Sequence, residues 1–141
     1  MIQGGTGAES VADGPLGGWR GGCARALVGR EERGGAGGPE RRWVFVPGTS
    51  GFDAERRTMA GDVEEQARQT LRNIRKTLRR SDADLSDVVR MRVYLADAAD
   101  FPRVQPILAD EFRDSPPGGT TIVCPLADPR MKIEIEVTAR R

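Results

Sequence analysis

The sequence predicts an α+β domain in which two helices pack on one face of a mixed sheet. Three observations predict it. An apolar stripe recurs at helical spacing over residues 62–80. Residues 89–95 and 131–138 alternate apolar and polar side chains, which is typical of strands with one buried face. Predicted strands outnumber predicted helices, and two helices can cover only one face of a sheet. The length of 141 residues fits a single domain.

The first part of the chain is rich in glycine and poor in large apolar side chains. Residues 1–22 cannot bury enough surface to offset their ordering entropy. We interpret them as a flexible arm, or as sequence upstream of the true start codon. The domain then spans residues 23–141. Within it, residues 23–28 predict a short strand and residues 29–42 predict a flexible loop insertion.

The best-defined elements begin at residue 43. Residues 43–46 form an apolar run that predicts a buried strand ending at Pro47 and Gly48, with a turn over residues 48–51. A helix is predicted from Asp62 to Arg80, where Asp62 and Glu65 resemble a capping box. Its predicted buried stripe is Val63, Ala67, Leu71, Ile74 and Leu78.

The second half of the chain predicts a strand, a helix and two further strands. We expect Asp100 to cap the helix and Pro106 to kink it or to make its first turn irregular. Residues 115–119 predict a loop, and residues 120–124 and 131–138 predict strands. The predicted inward side chains of the strands are Val89, Met91, Val93, Leu95, Ile133, Ile135 and Val137. Those of the helix are Phe101, Val104, Leu108 and Phe112.

The sheet face that the helices leave open is predicted to be charged. Such a face either meets water or pairs its charges against another subunit, and the modest apparent core also favours an oligomer. Its charged side chains are Arg90, Arg92, Lys132, Glu134 and Glu136.

Composition excludes several classes of function. A net charge of +1 gives no electrostatic footprint for nucleic acid or an anionic membrane. With no histidine, one chain cannot hold Ser-His-Asp or Cys-His machinery, and two cysteines cannot make the four-cysteine zinc site. The apolar runs are too short for a membrane helix, which needs about 20 residues. Sparse cysteine predicts a reducing, cytoplasmic setting.

From residue 23 onward the chain resembles the RidA/YjgF family, also called the Rid or L-PSP family. WVFVPGTSG at 43–51 resembles the family's strand that ends in SGQ or SGT, and KIEIE at 132–136 is close to verbatim. Between them lies the family's long pattern of helix, acidic turn and strand. The matching Q…N…DVV residues are Gln66, Asn73, Asp87, Val88 and Val89.

The resemblance implies a chorismate-mutase-like α+β fold and a homotrimer with a small-molecule pocket at each subunit interface. It implies hydrolysis of reactive enamines and imines, such as 2-aminoacrylate, to a keto acid and ammonia. It implies no metal and no organic cofactor.

The family's site residues carry over one at a time. The acidic residue that positions water falls on Glu134. The arginine that grips the substrate carboxylate with two prongs falls on Gly119, so the chain resembles the groups that lack this arginine. The other substrate-binding positions fall on Cys23, Gly48, Gln105 and Thr121.

Two functional hypotheses follow. The first is a trimer whose pockets act on a small imine, enamine or enol without the usual arginine anchor, as an imine or enamine deaminase-like hydrolase. The second is a non-enzymatic protein that binds a small ligand or a partner on the same trimer. The family's older endoribonuclease label is weakly supported, because the chain lacks net positive charge, histidine and stacking aromatics beside a basic groove.

Single residues leave alternatives open. Glu134 is either an acid–base or water-positioning group, or one half of an interfacial ion pair with Arg90 or Arg92. Cys124 is either a nucleophile or an inert buried thiol.

Two further expectations concern a substitute for the missing arginine and the position of Trp43. Arg42 and Arg130 are the candidates to supply a guanidinium from another loop. Trp43 is expected in the core.

Overall fold

A computed structural model of the chain describes residues 27–30 and 42–141. The predicted arm, the predicted strand residues 23–26 and the loop residues 31–41 lie outside the described residues. The strands are β1 (Leu27–Arg30), β2 (Arg42–Ser50), β3 (Phe52–Asp53), β4 (Thr58–Met59), β5 (Val88–Leu95), β6 (Gly118–Val123) and β7 (Ile133–Arg140). The helices are α1 (Val63–Arg79) and α2 (Phe101–Glu111).

Five strands form one mixed sheet in the order β1-β2-β7-β5-β6. The pairs β1–β2, β2–β7 and β7–β5 are antiparallel, whereas β5 and β6 are parallel. Helix α2 makes the crossover that parallel neighbours require. Strands β3 and β4 form a separate hairpin ahead of α1. The predicted α+β fold with a mixed sheet and two helices is confirmed.

The core lies between the helices and one face of the sheet. The predicted stripe of α1 is buried, as are the inward side chains of β7. Asp62 caps α1 by accepting hydrogen bonds from the backbone N–H groups of Glu64 (2.9 Å) and Glu65 (3.2 Å). In the described part of the chain, no helix is long and apolar enough to cross a membrane.

Strand β2 continues past the proline where the sequence predicted its end. Val46 pairs with Val137 and Thr49 pairs with Ile135, so Pro47 and Gly48 together lie opposite a single residue of β7. This is a β-bulge, a position that tolerates proline because no ladder N–H is needed. The extra residue reverses the alternation, so Thr49 is buried. The predicted turn over 48–51 is wrong for residues 48–50.

Strand β5 contains a second irregularity, which corrects the predicted inward set. Val88 pairs with Ala139 and Arg90 pairs with Thr138, so Val89 is an extra residue on β5. Val88 is buried, whereas Val89 is 45% exposed. The prediction that Val89 faces the core is wrong, because a bulge shifts the alternation by one residue.

The start of α2 also differs from expectation. Asp100 makes no capping hydrogen bond through its side chain. A short 3-10 turn, Ala98–Asp100, precedes α2 instead, and the Asp97 side chain accepts from the N–H of Ala99 (2.9 Å). This turn leaves Phe101 39% exposed. The other three predicted inward residues, Val104, Leu108 and Phe112, are buried.

The remaining corrections concern element ends. Gly118 and Gly119 belong to β6 rather than to a loop, because they pair in parallel with Arg90 and Met91. Residues 29, 30 and 42 are strand residues rather than parts of the predicted loop. Strand β7 begins at Ile133, two residues later than predicted, and runs to Arg140.

A buried glutamine joins α1 to the segments on either side of it. The Gln66 side chain is fully buried. Its amide nitrogen donates to the carbonyls of Ala60 (2.6 Å) and Arg130 (2.9 Å), and its amide oxygen accepts from the N–H of Lys132 (2.8 Å). About two turns later, the Asn73 amide donates to the carbonyls of Ser50 and Phe52, both at 2.9 Å. These bonds fix α1 against the sheet.

A glycine permits the close approach of β2 to α1. Gly51 is buried, and a Cβ atom at this position would lie 2.6 Å from the Gln66 carbonyl oxygen and 2.7 Å from its Cα atom. Both atoms belong to the helix backbone, which cannot easily move.

We predict that Gln66→Ala lowers the free energy of unfolding by about 3 kcal/mol, because it leaves one buried N–H and two carbonyls without partners. Gln69→Ala is the matched control on the same helix. Gln69 is half-buried and bonds only to neighbouring side chains, so it should cost less than about 1 kcal/mol. Denaturant unfolding at equal protein concentration measures both. Equal losses in the two variants would contradict the role of Gln66.

We predict that Gly51→Ala destabilises the fold by about 2 kcal/mol or more, because its Cβ overlaps the α1 backbone. At Gly61, an added Cβ meets nothing within 4 Å, so Gly61→Ala should change stability by less than about 0.5 kcal/mol. Thermal unfolding of the two variants beside the wild type makes the comparison. A stable Gly51→Ala protein would show that α1 can shift away from β2.

Candidate functional site

The β2 bulge brings two predicted site residues together. Glu134 lies on β7 between Ser50 of β2 and Tyr94 of β5. Its side chain points away from the helices, toward what we call the open face, the sheet face that the helices leave uncovered. A Cβ atom on Gly48 would lie 2.8 Å from the Glu134 carboxyl carbon. The missing side chain of Gly48 therefore leaves the room that the Glu134 carboxyl group occupies.

The Glu134 carboxyl group is half-buried and has a raised pKa. Burial is the main cause, and the negative charge of Glu136 adds to it. Arg92 does not relieve this, because its guanidinium donates to Glu136 (3.1 Å). Among the described residues Glu134 makes no ion pair and no hydrogen bond through its side chain. Within one chain Glu134 does not pair with Arg90 or Arg92, and the predicted interfacial pair needs a second subunit, so both interpretations of Glu134 stay predictions.

Two other predicted site residues lie on the opposite face of the sheet. Gly119 pairs with Met91 and Thr121 pairs with Val93, and both partners face the helix side. Strand β5 also separates β6 from β7. Because alternate residues of a strand face opposite sides, one chain does not bring Gly119 and Thr121 together with Glu134.

The remaining predicted positions are Gln105 and Cys23, and only Gln105 is among the described residues. Gln105 is exposed on α2. Cys23 lies outside the described residues. Cys124 follows β6, is half-buried, and donates its backbone N–H to the carbonyl of Leu95 (3.0 Å).

Among the described residues, no guanidinium lies within 4 Å of where a Cβ on Gly119 would be. Of the described residues, only Met91 comes within 4 Å of where a Cβ on Gly119 would lie. Arg130 is held by two hydrogen bonds to Asp128 (3.0 and 2.6 Å), which lower the pKa of that carboxyl group to about 2. Arg42 lies 3.8 Å from Asp82. Both candidate guanidiniums are therefore engaged by other carboxylates.

Trp43 lies on the open face rather than in the core. It pairs across β2 and β7 with Arg140. The Arg140 guanidinium lies 5.1 Å from the centre of a Trp43 ring, within cation–π range. The apolar run at residues 43–46 therefore alternates between faces, and only Val44 and Val46 point into the core.

The open face contains a groove that the sequence patterns did not predict. A groove of about 280 Å³ runs across β2, β7 and β5, and we call it the open-face groove. The alternation of apolar and polar side chains along β5 was the only sequence feature that indicated this groove. The side chains that shape it are Phe45, Pro47, Arg90, Arg92, Glu136 and Thr138.

Comparisons with known proteins identify the family to which the chain belongs. A family model described as Endoribonuclease L-PSP matches residues 39–141. A RutC family protein of Pyrococcus abyssi is 31% identical over 98 residues, which are 69% of this chain and 77% of that protein. The 2-iminobutanoate/2-iminopropanoate deaminase of Homo sapiens is 30% identical over 99 residues, which are 70% of this chain and 72% of that protein.

A solved structure shows the same fold. A member of the YjgF family from Mycobacterium tuberculosis superposes with a TM-score of 0.63 at 27% identity, covering 79% of this chain and 98% of that one. Because the family model spans most of the chain and its relatives match most of their own length, the protein belongs to the Endoribonuclease L-PSP family, the RidA/YjgF family.

Proposed function

We propose that the chain forms a homotrimer whose interfacial pockets hydrolyse a small reactive imine or enamine, with Glu134 as the acid–base group. One observation carries the proposal. The Glu134 carboxyl group has a raised pKa, lies against the Gly48 bulge, and makes no hydrogen bond or ion pair through its side chain among the described residues. The relative in Homo sapiens whose name specifies imine deamination supports the reaction class.

The positions of the predicted site residues support an oligomer, and the family resemblance makes that oligomer a trimer. Gly119 and Thr121 lie on the opposite face of the sheet from Glu134, so a pocket containing all three needs a second copy of the chain. Large apolar side chains that are exposed on the sheet also support contact with a second subunit. Phe45 is 45% exposed, and Ile122 and Val123 on the edge strand β6 are 39% and 51% exposed.

The proposed chemistry needs only proton transfer from the protein. An enamine first tautomerises to its imine. Water then adds to the carbon of the protonated imine while the Glu134 carboxylate accepts a proton from the water, which gives a neutral carbinolamine. The protonated Glu134 returns this proton to the nitrogen, ammonia leaves, and the hydroxyl group gives its proton to the carboxylate as the carbonyl product forms. A carboxyl group with a raised pKa is a stronger proton acceptor than an ordinary one, which suits these transfers.

The lack of an arginine at position 119 restricts the class of substrate that the proposed pocket can bind. Gly119 provides no guanidinium, and the two candidate substitutes, Arg42 and Arg130, are engaged by Asp82 and Asp128. A 2-imino acid therefore lacks its two-pronged carboxylate contact at this position. The same observation favours the second hypothesis, a ligand-binding trimer without catalysis, and the two differ in whether any turnover depends on Glu134.

We predict that Glu134→Gln lowers kcat/KM about 100-fold or more across a panel of freshly generated imines and enamines, because it removes the proton acceptor. In the wild type, kcat/KM should fall as pH drops through the raised pKa of Glu134, which lies above the ordinary 4.5. Stopped-flow assays over a pH series measure both effects.

Stability provides the control for this variant. The folded state favours protonated Glu134, so the free energy of unfolding falls as pH rises through the raised pKa. Glu134→Gln should therefore be at least as stable as the wild type at pH 7 and should still sediment as a trimer. Unchanged turnover in this folded variant would contradict the acid–base role of Glu134, whereas an absence of turnover in the wild type would leave the ligand-binding hypothesis.

We predict that Gly119→Arg gains at least about tenfold in turnover of 2-aminoacrylate, because a guanidinium at this position can bind the substrate carboxylate. The substitution fits, since a Cβ on Gly119 meets only Met91, at 3.9 and 4.0 Å. Gly118→Arg is the matched control, because the adjacent residue faces the other side of β6. Rapid wild-type turnover of 2-aminoacrylate would contradict the importance assigned to Gly119.

A further inference from the structure

Thr49 is a polar side chain that the β2 bulge turns into the core. The other inward residues of β2, Val44 and Val46, are apolar, and Ile135, the ladder partner of Thr49, is fully buried. A hydroxyl group in such surroundings costs stability unless it is hydrogen-bonded. The Thr49 hydroxyl donates to the carbonyl oxygen of Pro47 at 2.9 Å. The hydrogen bond therefore spans the bulge, from the residue after it to the residue that begins it.

This hydrogen bond encloses Gly48. A bulge interrupts the regular ladder and leaves its extra residue unpaired, so other contacts must fix the backbone there. Pro47 contributes a fixed φ angle and no N–H group. The Thr49 hydroxyl fixes the direction of the Pro47 carbonyl. Gly48 lies between these two residues, so both constraints act on its position.

The end of β2 is held to α1 by separate contacts. The Asn73 amide donates to the carbonyl of Ser50 at 2.9 Å, and Gly51 lies against the helix backbone. These contacts act two and three residues beyond Gly48. The short span through the bulge is held by Thr49 instead.

The conformation of the bulge determines the surroundings of the Glu134 carboxyl group. A Cβ atom on Gly48 would lie 2.8 Å from the carboxyl carbon, so the Gly48 backbone closely borders this group. Burial is the main cause of the raised pKa of Glu134. A change in the position of Gly48 would therefore change the access of water to the carboxyl group.

The charged and titratable groups near Glu134 lie on β5 and β7, on the opposite face of the sheet from Thr49. Residues 45–50 of β2 contain no titratable side chain. An uncharged substitution at Thr49 therefore alters no charge, and it reaches Glu134 through the bulge. The groups on the open face near Glu134 are Arg90, Arg92, Tyr94, Lys132 and Glu136.

We propose that Thr49 is a positioning residue, whose hydroxyl holds the Pro47–Gly48 bulge in the conformation that accommodates the Glu134 carboxyl group. The inference rests on the proposed function for the use made of that carboxyl group. Thr49 faces the core and acts through Gly48, without contact with the substrate. The role also accounts for a hydroxyl group at a core position where valine has nearly the same shape.

Thr49→Val in the full-length protein tests the proposal, because valine keeps the shape and removes the hydroxyl group. Carbon-13 NMR follows the titration of the Glu134 carboxyl group, whose signal is assigned from its absence in Glu134→Gln. We expect the pKa of Glu134 to fall toward its ordinary value by about half a pH unit or more, because water reaches the carboxyl group. With an imine that the wild type hydrolyses, kcat should fall about tenfold while KM changes less than about twofold.

Two further variants at the same position separate the hydroxyl from the shape of the side chain. Thr49→Ser keeps the hydroxyl group and should restore the wild-type pKa of Glu134 and about half of the turnover or more. Thr49→Ala removes the hydroxyl group without adding a methyl group, so it should lower the pKa as Thr49→Val does. Agreement between the alanine and valine variants shows that the result does not depend on how well valine fits.

Thr77→Val is the matched control. Thr77 is buried near the end of α1, and its hydroxyl donates to the carbonyl of Asn73 within the helix at 3.0 Å. The control makes the same substitution at a buried threonine on another element. It should leave the pKa of Glu134 and the turnover unchanged. Denaturant unfolding of both valine variants measures any general loss of stability.

The proposal is overturned if Thr49→Val leaves the pKa of Glu134 unchanged, if Thr77→Val lowers it equally, or if Thr49→Ser does not restore it. The NMR titration needs no turnover, so it separates this inference from the proposed function. If the wild type is inert but the pKa depends on the Thr49 hydroxyl, the catalytic proposal fails and the positioning role stands. If turnover depends on Glu134 but Thr49→Val changes neither the pKa nor kcat, the reverse holds.

Discussion

The buried amide of Gln66 is the contact on which the geometry of the site depends. It accepts a hydrogen bond from the Lys132 N–H and donates to carbonyls on both sides of α1. Lys132 directly precedes β7, so this contact fixes where the strand begins and which residues face the helices. Glu134 lies two residues later. Since no water reaches this amide, an unmade bond here would carry its full desolvation cost, which favours a single register.

The two bulges then determine what the open face presents. In β2, the extra residue places Gly48 against Glu134 and turns Thr49 inward. In β5, the extra residue Val89 shifts the alternation by one, so Arg90 and Arg92 point toward the open face. A regular ladder over the same residues would interrupt both the groove and the space for the carboxyl group. Bulges next to a site re-aim side chains in this way.

Sequence patterns predicted the elements whose burial repeats without interruption. The α1 stripe is regular, and so is the inward set Ile133, Ile135 and Val137 on β7. The patterns failed at the bulges, because alternation cannot register an extra residue until the partner strand is known. Thus Val89 was placed inward, and Pro47 was taken as a strand end. Phe101 was misplaced for a related reason, since a preceding 3-10 turn sets its direction.

At the candidate site too, the sequence predicted individual residues but not the placements that depend on the order of the strands. The resemblance identified Gly48 and Glu134, and the structure places them in contact range. Gly119 and Glu134 face opposite sides of the sheet, and this depends on which strand lies between β6 and β7. That order of strands is a long-range property, which the alternation of side chains within one strand cannot predict. The groove was missed because Phe45 and Arg92 belong to strands separated by β7.

The charges of the open face bear on the acid–base role proposed for Glu134. Burial raises the pKa of this carboxyl group, and the negative charge of Glu136 on the same face of β7 adds to the effect. Arg92 offsets the charge of Glu136, and no described side chain of the same chain pairs with Glu134. A half-buried carboxyl group without a partner in its own chain costs stability. Its presence beside the Gly48 bulge is therefore expected either of a site that uses the carboxyl group for proton transfer or of an interface whose neighbouring subunit supplies the partner.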